Sequence, residues 1–151
     1  MGRPDELRLE TSSDPRLLGV IRGVLQVWLG LVGLDAERRP DVVLAVDEAC
    51  ANAIRHAYGG RADGELELIL GSTDSHFEIT VSDRGTPCPP ECAAFSPLER
   101  PLAHEVEPGG LGVKLIHEVF DEVSFCPGTT RGNCVTMRLH RHEKRGEDSE
   151  D

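Results

Sequence analysis

The first candidate chemistry in this sequence is a row of polar side chains at Glu48, Asn52 and His56, which are spaced four residues apart. Residues four apart lie one above another on a helix, so a helix here places a carboxylate, an amide and an imidazole in one line. A carboxylate can act as a general base, and an amide oxygen is a suitable ligand for a hard cation such as Mg²⁺. The alternative is an amphipathic helix whose Glu48 and Asn52 simply face water.

Two further patterns could contact a nucleotide. Gly109, Gly110 and Gly112 stand just before a helical pattern, and bare backbone N–H groups at a helix N-terminus suit a phosphate. Glycines that serve turn geometry alone are the alternative. Asp83 and Gly85 form a weaker pattern, because Asp-x-Gly is also a common turn.

The elements that must position these residues follow from hydrophobic periodicity and from the turn residues. The central helix begins near Pro40, and Gly59 and Gly60 end it. Asp14 is predicted to cap an earlier helix. The other predicted elements are a weak strand at 7–10, the helix at 15–32, a hairpin at 65–71 and 75–83, a helix at 114–120 and strands at 121–125 and 133–140.

The remaining segments are predicted to be irregular. Residues 88–108 contain five prolines and no sustained period, which indicates a long loop that is either a functional cover or disordered. Residues 127–132 are expected to form a turn. The sequence thus predicts a single domain over residues 1–140, followed by a charged and disordered tail at 141–151.

Composition excludes several classes of function. A net charge of −11 without a basic patch argues against direct binding to nucleic acid. The sequence has neither a membrane-spanning apolar run nor a signal peptide, so we expect a cytoplasmic protein with no membrane partner. Its five cysteines are expected to be reduced thiols. Zinc ligation by Cys88, Cys92 and His104 is the alternative, although the close double spacing of structural zinc sites is absent.

The order of these motifs resembles the GHKL ATPase superfamily with its Bergerat nucleotide fold. The segments EACANAIRHAY, SDRGTPCPP and GGLGVKLIHEVFDEVSF are most similar to the small anti-sigma-factor serine/threonine kinases of bacteria. The resemblance extends from about Leu7 to Leu139. It implies an α/β two-layer sandwich, in which helices cover one face of a mixed, mostly antiparallel sheet and ATP lies between a helix and the lid.

The resemblance also implies a role for each candidate residue. Asn52 matches the Mg²⁺ ligand, and Glu48 matches the general base that accepts the proton of a protein hydroxyl. Asp83 matches the acceptor of the adenine amino group, with Gly85 letting the base approach. His56 is not a phosphoacceptor in this family, so packing or hydrogen bonding is its expected role. The phosphate-binding segment comprises Gly110, Leu111, Gly112 and Val113.

Three further positions follow from the same resemblance. Arg22 falls where the family carries an arginine on its partner-binding surface. Pro108 replaces a basic residue that precedes the lid glycines in some members, which leaves Mg²⁺ or another cation to neutralise the γ-phosphate. Asn133 stands in a motif that is usually Gly-Thr, and it is expected to hydrogen-bond near the adenine. The candidate cations within the chain that could neutralise the γ-phosphate are Arg100, His104 and Lys114.

The resemblance implies a protein kinase that uses ATP and Mg²⁺. Its expected partners are a sigma factor, which it inhibits, and an anti-anti-sigma (STAS-type) protein, which it phosphorylates on serine or threonine. Family members commonly act as homodimers. A nucleotide-dependent binding regulator without kinase activity is the alternative, and a regulator that has lost ATP altogether is a third hypothesis.

Overall fold

A five-stranded sheet and three α-helices make up the part of the protein that this computed structural model describes, residues 6–86, 110–129 and 132–141. For residues 110–112 and 127–129 the description covers the backbone only. The strands are β1 (Leu7–Ser12), β2 (Glu65–Ser72), β3 (His76–Asp83), β4 (Glu122–Thr129) and β5 (Gly132–His140). The helices are α1 (Leu18–Leu31), which follows a 3₁₀ turn at Pro15–Leu17, α2 (Arg39–Tyr58) and α3 (Gly110–Val119).

The strand order is β1-β2-β3-β5-β4, and every pairing between described strands is antiparallel. The α3 connection brings β4 back in the direction of β3, but β5 lies between these two strands. Parallel contacts are therefore absent from the described sheet, which is simpler than the mixed sheet that we predicted. The predicted two-layer α/β sandwich is confirmed.

Along β2, β3 and β5, buried side chains alternate with more exposed ones, so one face of the sheet is buried, as the period-two pattern predicts. Buried apolar side chains of β2, β3, β5 and all three helices form one hydrophobic cluster, and partly buried side chains of β1 and β4 pack against it. Helix α2 is the central helix, since it packs against α1, α3, β3 and β5. Fully buried members of the cluster include Leu25, Leu29, Val46, Leu68, Ile79, Ile116 and Met137.

The predicted boundaries hold where a side chain or a glycine sets them. Asp14 caps the first helical turn by accepting a hydrogen bond from the Arg16 backbone N–H at 2.9 Å. Pro40 lies in the first turn of α2, and Gly59 ends this helix in the left-handed conformation at φ 58°. These residues fix the ends of the helices through local geometry alone.

Two boundaries differ from the prediction near glycine and proline. Helix α3 begins at Gly110 and not at residue 114, because packing against α2 offsets the poor helix propensity of Gly110 and Gly112. Strand β4 continues to Thr129 through Pro127, in the segment predicted to turn. An edge strand tolerates a proline, which cannot donate a ladder hydrogen bond, and β4 is an edge strand of the described sheet.

Arg141, the first residue of the predicted disordered tail, is anchored to the fold. Its Nε donates to the Thr73 carbonyl at 2.8 Å, and its Nη2 donates to the Val32 carbonyl at 3.0 Å. The guanidinium also lies 4.1 Å from the centroid of the Phe77 ring. The folded part of the chain thus includes Arg141. The remaining tail and the predicted lid at 88–108 lie outside the described residues.

Among the described residues, no helix is both long and apolar enough to cross a membrane.

Candidate functional site

Helix α2 carries Glu48, Asn52 and His56 along its length, as the spacing predicts. Glu48 and Asn52 are partly buried, whereas His56 is exposed. The neighbouring positions Ala49 and Ala53 belong to the hydrophobic cluster or pack against it. Glu48 and Asn52 therefore lie at the border between the core and the surface, where a side chain is both positioned and accessible.

The amide of Asn52 already has one partner. Arg55 donates from Nη2 to Asn52 Oδ1 at 2.6 Å, one helical turn further along α2. A carbonyl-type oxygen has two lone pairs, so a second one remains for a cation or another donor. Sequence reasoning did not select Arg55, although its position three residues after Asn52 could have indicated the contact.

The carboxylate of Glu48 has no hydrogen bond or ion pair to any side chain within the described residues. Its neighbour Asp47 instead pairs with Arg22, whose Nη1 lies 2.8 Å from Asp47 Oδ1. This ion pair joins α1 to α2 beside the candidate base. The Arg22 side chain remains 45% exposed, so part of the guanidinium is accessible from outside.

Asp83, the last residue of β3, is the most constrained carboxylate of the site and is only 6% exposed. Its Oδ1 accepts from the Gly85 N–H at 3.0 Å, the Asn133 N–H at 3.3 Å and Asn133 Nδ2 at 3.0 Å. Among the described residues, Asp83 Oδ2 accepts no hydrogen bond. A buried acceptor of this kind fits a ligand that brings its own N–H, such as the amino group of adenine.

Tyr58, at the end of α2, holds the segment that follows Asp83. Its hydroxyl donates to the Glu65 carbonyl at 2.7 Å and accepts from the Arg84 backbone N–H at 2.8 Å. The Thr86 backbone N–H donates to the Ala57 carbonyl at 3.0 Å. These bonds tie residues 84–86 to the C-terminal end of α2. The site role of Tyr58 was missed because its sequence signal is that of an ordinary core aromatic.

Two glycines allow the backbone segments around Asp83 to come together. A Cβ on Gly85 would overlap the backbone and side chain of Ala57, and a Cβ on Gly132 would overlap the Asp83 carbonyl. Gly132 also has a φ of 98°, which an L side chain rarely adopts. The structure therefore gives Gly85 a packing role against α2. The predicted role of Gly85, which is to let the adenine approach, stays a prediction beside this packing role.

Asn133 also bridges two segments of the site. In addition to its bonds to Asp83, its Nδ2 donates to the Thr86 carbonyl at 2.9 Å. The Gly-Asn pair that replaces the usual Gly-Thr motif thus fixes both the Asp83 carboxylate and the loop that follows it. We predicted a hydrogen bond near the adenine, and the structure places Asn133 beside the candidate adenine acceptor.

The predicted phosphate segment lies in the first turn of α3, at Gly110, Leu111, Gly112 and Val113. Gly109 lies outside the described residues. The first backbone N–H groups of a helix lack intrahelical partners, so this turn offers donors to an anion. Lys114, one candidate for the γ-phosphate, pairs with Glu118 at 3.6 Å, and the other two, Arg100 and His104, lie outside the described residues.

Three cysteines are described, and all of them are free thiols. Burial raises the pKa of the Cys50 thiol to about 12, with a smaller contribution from the charge of Asp47. Cys50 is thus a neutral core side chain at physiological pH. Within the part of the chain that was described, no three His, Cys, Asp or Glu side chains are grouped so that they could hold a metal ion.

This fold, with an acceptor carboxylate at the end of β3 and a Glu–Asn row on the central helix, is that of an ATP-binding domain of the histidine-kinase-like class. Residues 11–139 match the family model described as the histidine kinase-like ATPase domain. The chain belongs to this family.

Curated relatives are similar over most of their length. The chain is 32% identical to a protein of Bacillus pumilus over 91% of this chain and 88% of the relative. It is 30% identical to a protein of Oceanobacillus iheyensis, over 83% of this chain and 81% of the relative. Both relatives are named serine-protein kinase RsbW.

A solved structure supports the fold independently. The RsbU and RsbW domains of a Mycobacterium tuberculosis protein align with a TM-score of 0.65 over 91% of this chain, at 19% identity. This chain spans only 33% of that longer protein, so the likeness concerns the fold.

Proposed function

We propose that this protein is an ATP-dependent serine/threonine kinase and anti-sigma factor of a bacterial partner-switching system. The observation that carries this proposal is the buried Asp83 carboxylate, with Oδ1 saturated by the protein and Oδ2 free of described partners. The family and the names of the relatives point to the same activity.

Asp83 recognises the adenine by accepting its amino N–H at Oδ2. The three bonds to Oδ1 hold the carboxylate in place before the nucleotide arrives, so little side-chain entropy is lost on binding. The backbone N–H groups of residues 110–113 bind the phosphates at the start of α3. Bound ATP and Mg²⁺ supply the phosphoryl group and the charge that its oxygens require during transfer.

Asn52 offers its second Oδ1 lone pair to the cation, while Arg55 keeps the amide oriented through the first. Glu48, one turn earlier on α2, accepts the proton of the substrate serine or threonine hydroxyl as the hydroxyl oxygen attacks phosphorus. A base must be unprotonated and accessible to act in this way. The partly buried carboxylate of Glu48, which pairs with no side chain among the described residues, meets the second condition.

The partners are a sigma factor and an anti-anti-sigma (STAS-type) protein, which is the phosphate acceptor. Arg22 contributes to the partner surface through the exposed part of its guanidinium. Because a sigma factor acts on RNA polymerase, the protein works in the cytoplasm.

The protein acts as a homodimer through the outer face of α1. Val20, Val27 and Leu31 on this face are 55%, 74% and 81% exposed, and the edge strand β1 is exposed nearby. Exposed apolar patches of this kind are typical of protein interfaces. Light scattering should show a dimer for the wild type and a monomer for Val27→Asp. Leu44→Asp, at an exposed apolar position on α2, serves as the matched control and should remain dimeric. A monomeric wild type would contradict this part of the proposal.

A phosphorylation assay tests the kinase. The full chain is incubated with γ-labelled ATP, Mg²⁺ and the anti-anti-sigma protein encoded nearby. Label should reach the acceptor protein with the wild type and be lost with Asn52→Ala. Glu48→Gln should lower the rate by about 10²–10⁴-fold while ATP still binds. Glu10→Gln, an exposed carboxylate on β1, is the matched control. Equal transfer by Glu48→Gln and wild type would exclude Glu48 as the base.

The second candidate function is a nucleotide-dependent binder that does not phosphorylate its partner. The bond from Arg55 to Asn52 favours it, because the amide oxygen that would hold the cation is already engaged by a positive charge. The same assay separates the two functions. ATP binding without label transfer, in the presence of the partner, would favour the binder.

A further inference from the structure

A pair of thiols lies on the sheet next to the candidate adenine site and has no role in the proposed catalysis. Cys126 on β4 is directly opposite Cys134 on β5 in the antiparallel register. The neighbouring residues Phe125 and Val135 belong to the hydrophobic core or pack on it. Because side chains alternate along a strand, both thiols lie on the face of the sheet that the helices leave uncovered. Cys126 is exposed and Cys134 is partly buried, so solvent reaches the pair.

The register brings the two thiols within bonding range. Opposite residues of an antiparallel pair have Cα atoms about 4.5–5.5 Å apart, which lies inside the range of about 4.4–6.8 Å found for disulfides. The Cys126 side chain contributes to the raised pKa of the Cys134 thiol, as expected of two neighbouring thiols. The β4–β5 register shifts between Cys126 and Thr129, so the ladder is irregular immediately beyond the pair and the strand can adjust.

We propose that Cys126 and Cys134 are an oxidation site, which a peroxide converts into an intramolecular disulfide that weakens nucleotide binding. The disulfide itself depends only on the geometry of the two strands. Its effect on ATP rests on the proposed function.

The chemistry needs one two-electron oxidant, hydrogen peroxide or an organic hydroperoxide. The Cys126 sulfur, as thiolate, attacks a peroxide oxygen, the O–O bond breaks, and a sulfenic acid and water form from hydrogen peroxide. The Cys134 sulfur then attacks the Cys126 sulfur, the S–O bond breaks, and a second water leaves with the Cys134 proton. The two thiols together lose two electrons and two protons, and one peroxide becomes two waters.

The environments of the two thiols assign these roles. Burial, with a smaller contribution from the neighbouring Cys126 thiol, raises the pKa of Cys134 to about 11, so Cys134 is protonated at neutral pH. The exposed Cys126 is therefore the thiol that meets the oxidant, and Cys134 is the thiol that resolves the sulfenic acid.

The connection to the nucleotide site passes through one peptide unit. Cys134 directly follows Asn133, whose N–H and Nδ2 both bond to Asp83 Oδ1. A disulfide fixes the sulfurs about 2.05 Å apart and the dihedral angle about the S–S bond near ±90°, and the irregular β4–β5 ladder lets the backbone beside Asn133 adjust to this geometry. Movement of Asn133 weakens the bonds that hold the adenine acceptor. The loss of one such bond lowers affinity by about three- to tenfold.

The experiment uses the full chain with Cys88→Ser and Cys92→Ser, because these cysteines lie outside the described residues. Hydrogen peroxide is added and the peptides are mapped by mass spectrometry, while ATP affinity is measured before and after oxidation. We expect a cross-linked peptide that joins Cys126 to Cys134 with the loss of two hydrogen atoms. The dissociation constant for ATP should rise about three- to tenfold and recover after dithiothreitol. The additional substitution Cys50→Ser should leave both the cross-link and the rise of the dissociation constant unchanged. Cys134→Ser, in contrast, should retain full ATP affinity in peroxide.

Each contrary result has a distinct meaning. Over-oxidation of Cys126 without a cross-link excludes the proposed disulfide between Cys126 and Cys134. A cross-link that leaves ATP affinity unchanged overturns the effect on the nucleotide. If the reduced protein binds no ATP, the proposed function fails, and with it the proposed effect of the disulfide.

Discussion

Exchanging the buried carboxylate for an amide in Asp83→Asn separates its structural role from its nucleotide-binding role. In the variant, the amide oxygen can still accept from Gly85 and Asn133, at the positions where Oδ1 accepts in the wild type. Charge-assisted hydrogen bonds contribute about 1 kcal/mol more than neutral ones. Because three donors share one oxygen, we expect the free energy of unfolding to fall by about 1–3 kcal/mol.

The effect of Asp83→Asn on ATP affinity should be larger than its effect on stability. An amide NH₂ replaces Oδ2, so the adenine amino group meets a donor in place of an acceptor. The lost charge-assisted bond and the unpaired donors together cost about 3–5 kcal/mol, which corresponds to roughly 10²–10⁴-fold in the dissociation constant. A guanine nucleotide carries a carbonyl oxygen at this position, and the new NH₂ can donate to it. The preference for ATP over GTP should therefore narrow or reverse.

The assay is calorimetric titration of ATP and of GTP with Mg²⁺, combined with urea unfolding of the same samples. Asp121→Asn is the matched control, because Asp121 also accepts a backbone hydrogen bond, from His140 N–H at 2.7 Å, at the opposite end of β5. The Asp121→Asn variant should lose some stability but keep the ATP affinity of the wild type. A folded Asp83→Asn variant that binds ATP as tightly as the wild type would refute the assignment of Asp83 to the adenine.

Two further substitutions test how the fold holds the site. Tyr58→Phe leaves the Arg84 N–H without its acceptor, so the free energy of unfolding should fall by about 1–3 kcal/mol and ATP affinity should fall as well. Equal stability and equal ATP affinity of the variant and the wild type would exclude this anchoring role. Arg141→Ala removes the hydrogen bonds to Val32 and Thr73 and the contact with Phe77. The free energy of unfolding in urea should therefore fall by about 2–4 kcal/mol, with ATP affinity retained. An unchanged midpoint of urea unfolding would show that Arg141 does not stabilise the fold.

Local signals in the sequence were sufficient for most of the frame. The α2 boundaries follow from Pro40 and Gly59, whose backbone preferences act without any tertiary contact. The β2–β3 hairpin follows from period-two alternation, which survives because one face of the sheet is buried. The start of α3 did not follow, since Gly110 has poor helix propensity and packing against α2 compensates for it.

The sequence by itself determined which residue types could form the site: the spacing of Glu48 and Asn52, and the Asp83 motif, are properties of short segments. Only the tertiary structure decided how they are held, because the partners are distant in the chain. Asn133 reaches Asp83 across 50 residues, and Tyr58 reaches Arg84 across 26. The opposition of Cys126 and Cys134 likewise depends on the register between β4 and β5. Register is set by burial of one face of the sheet, which no short segment encodes alone.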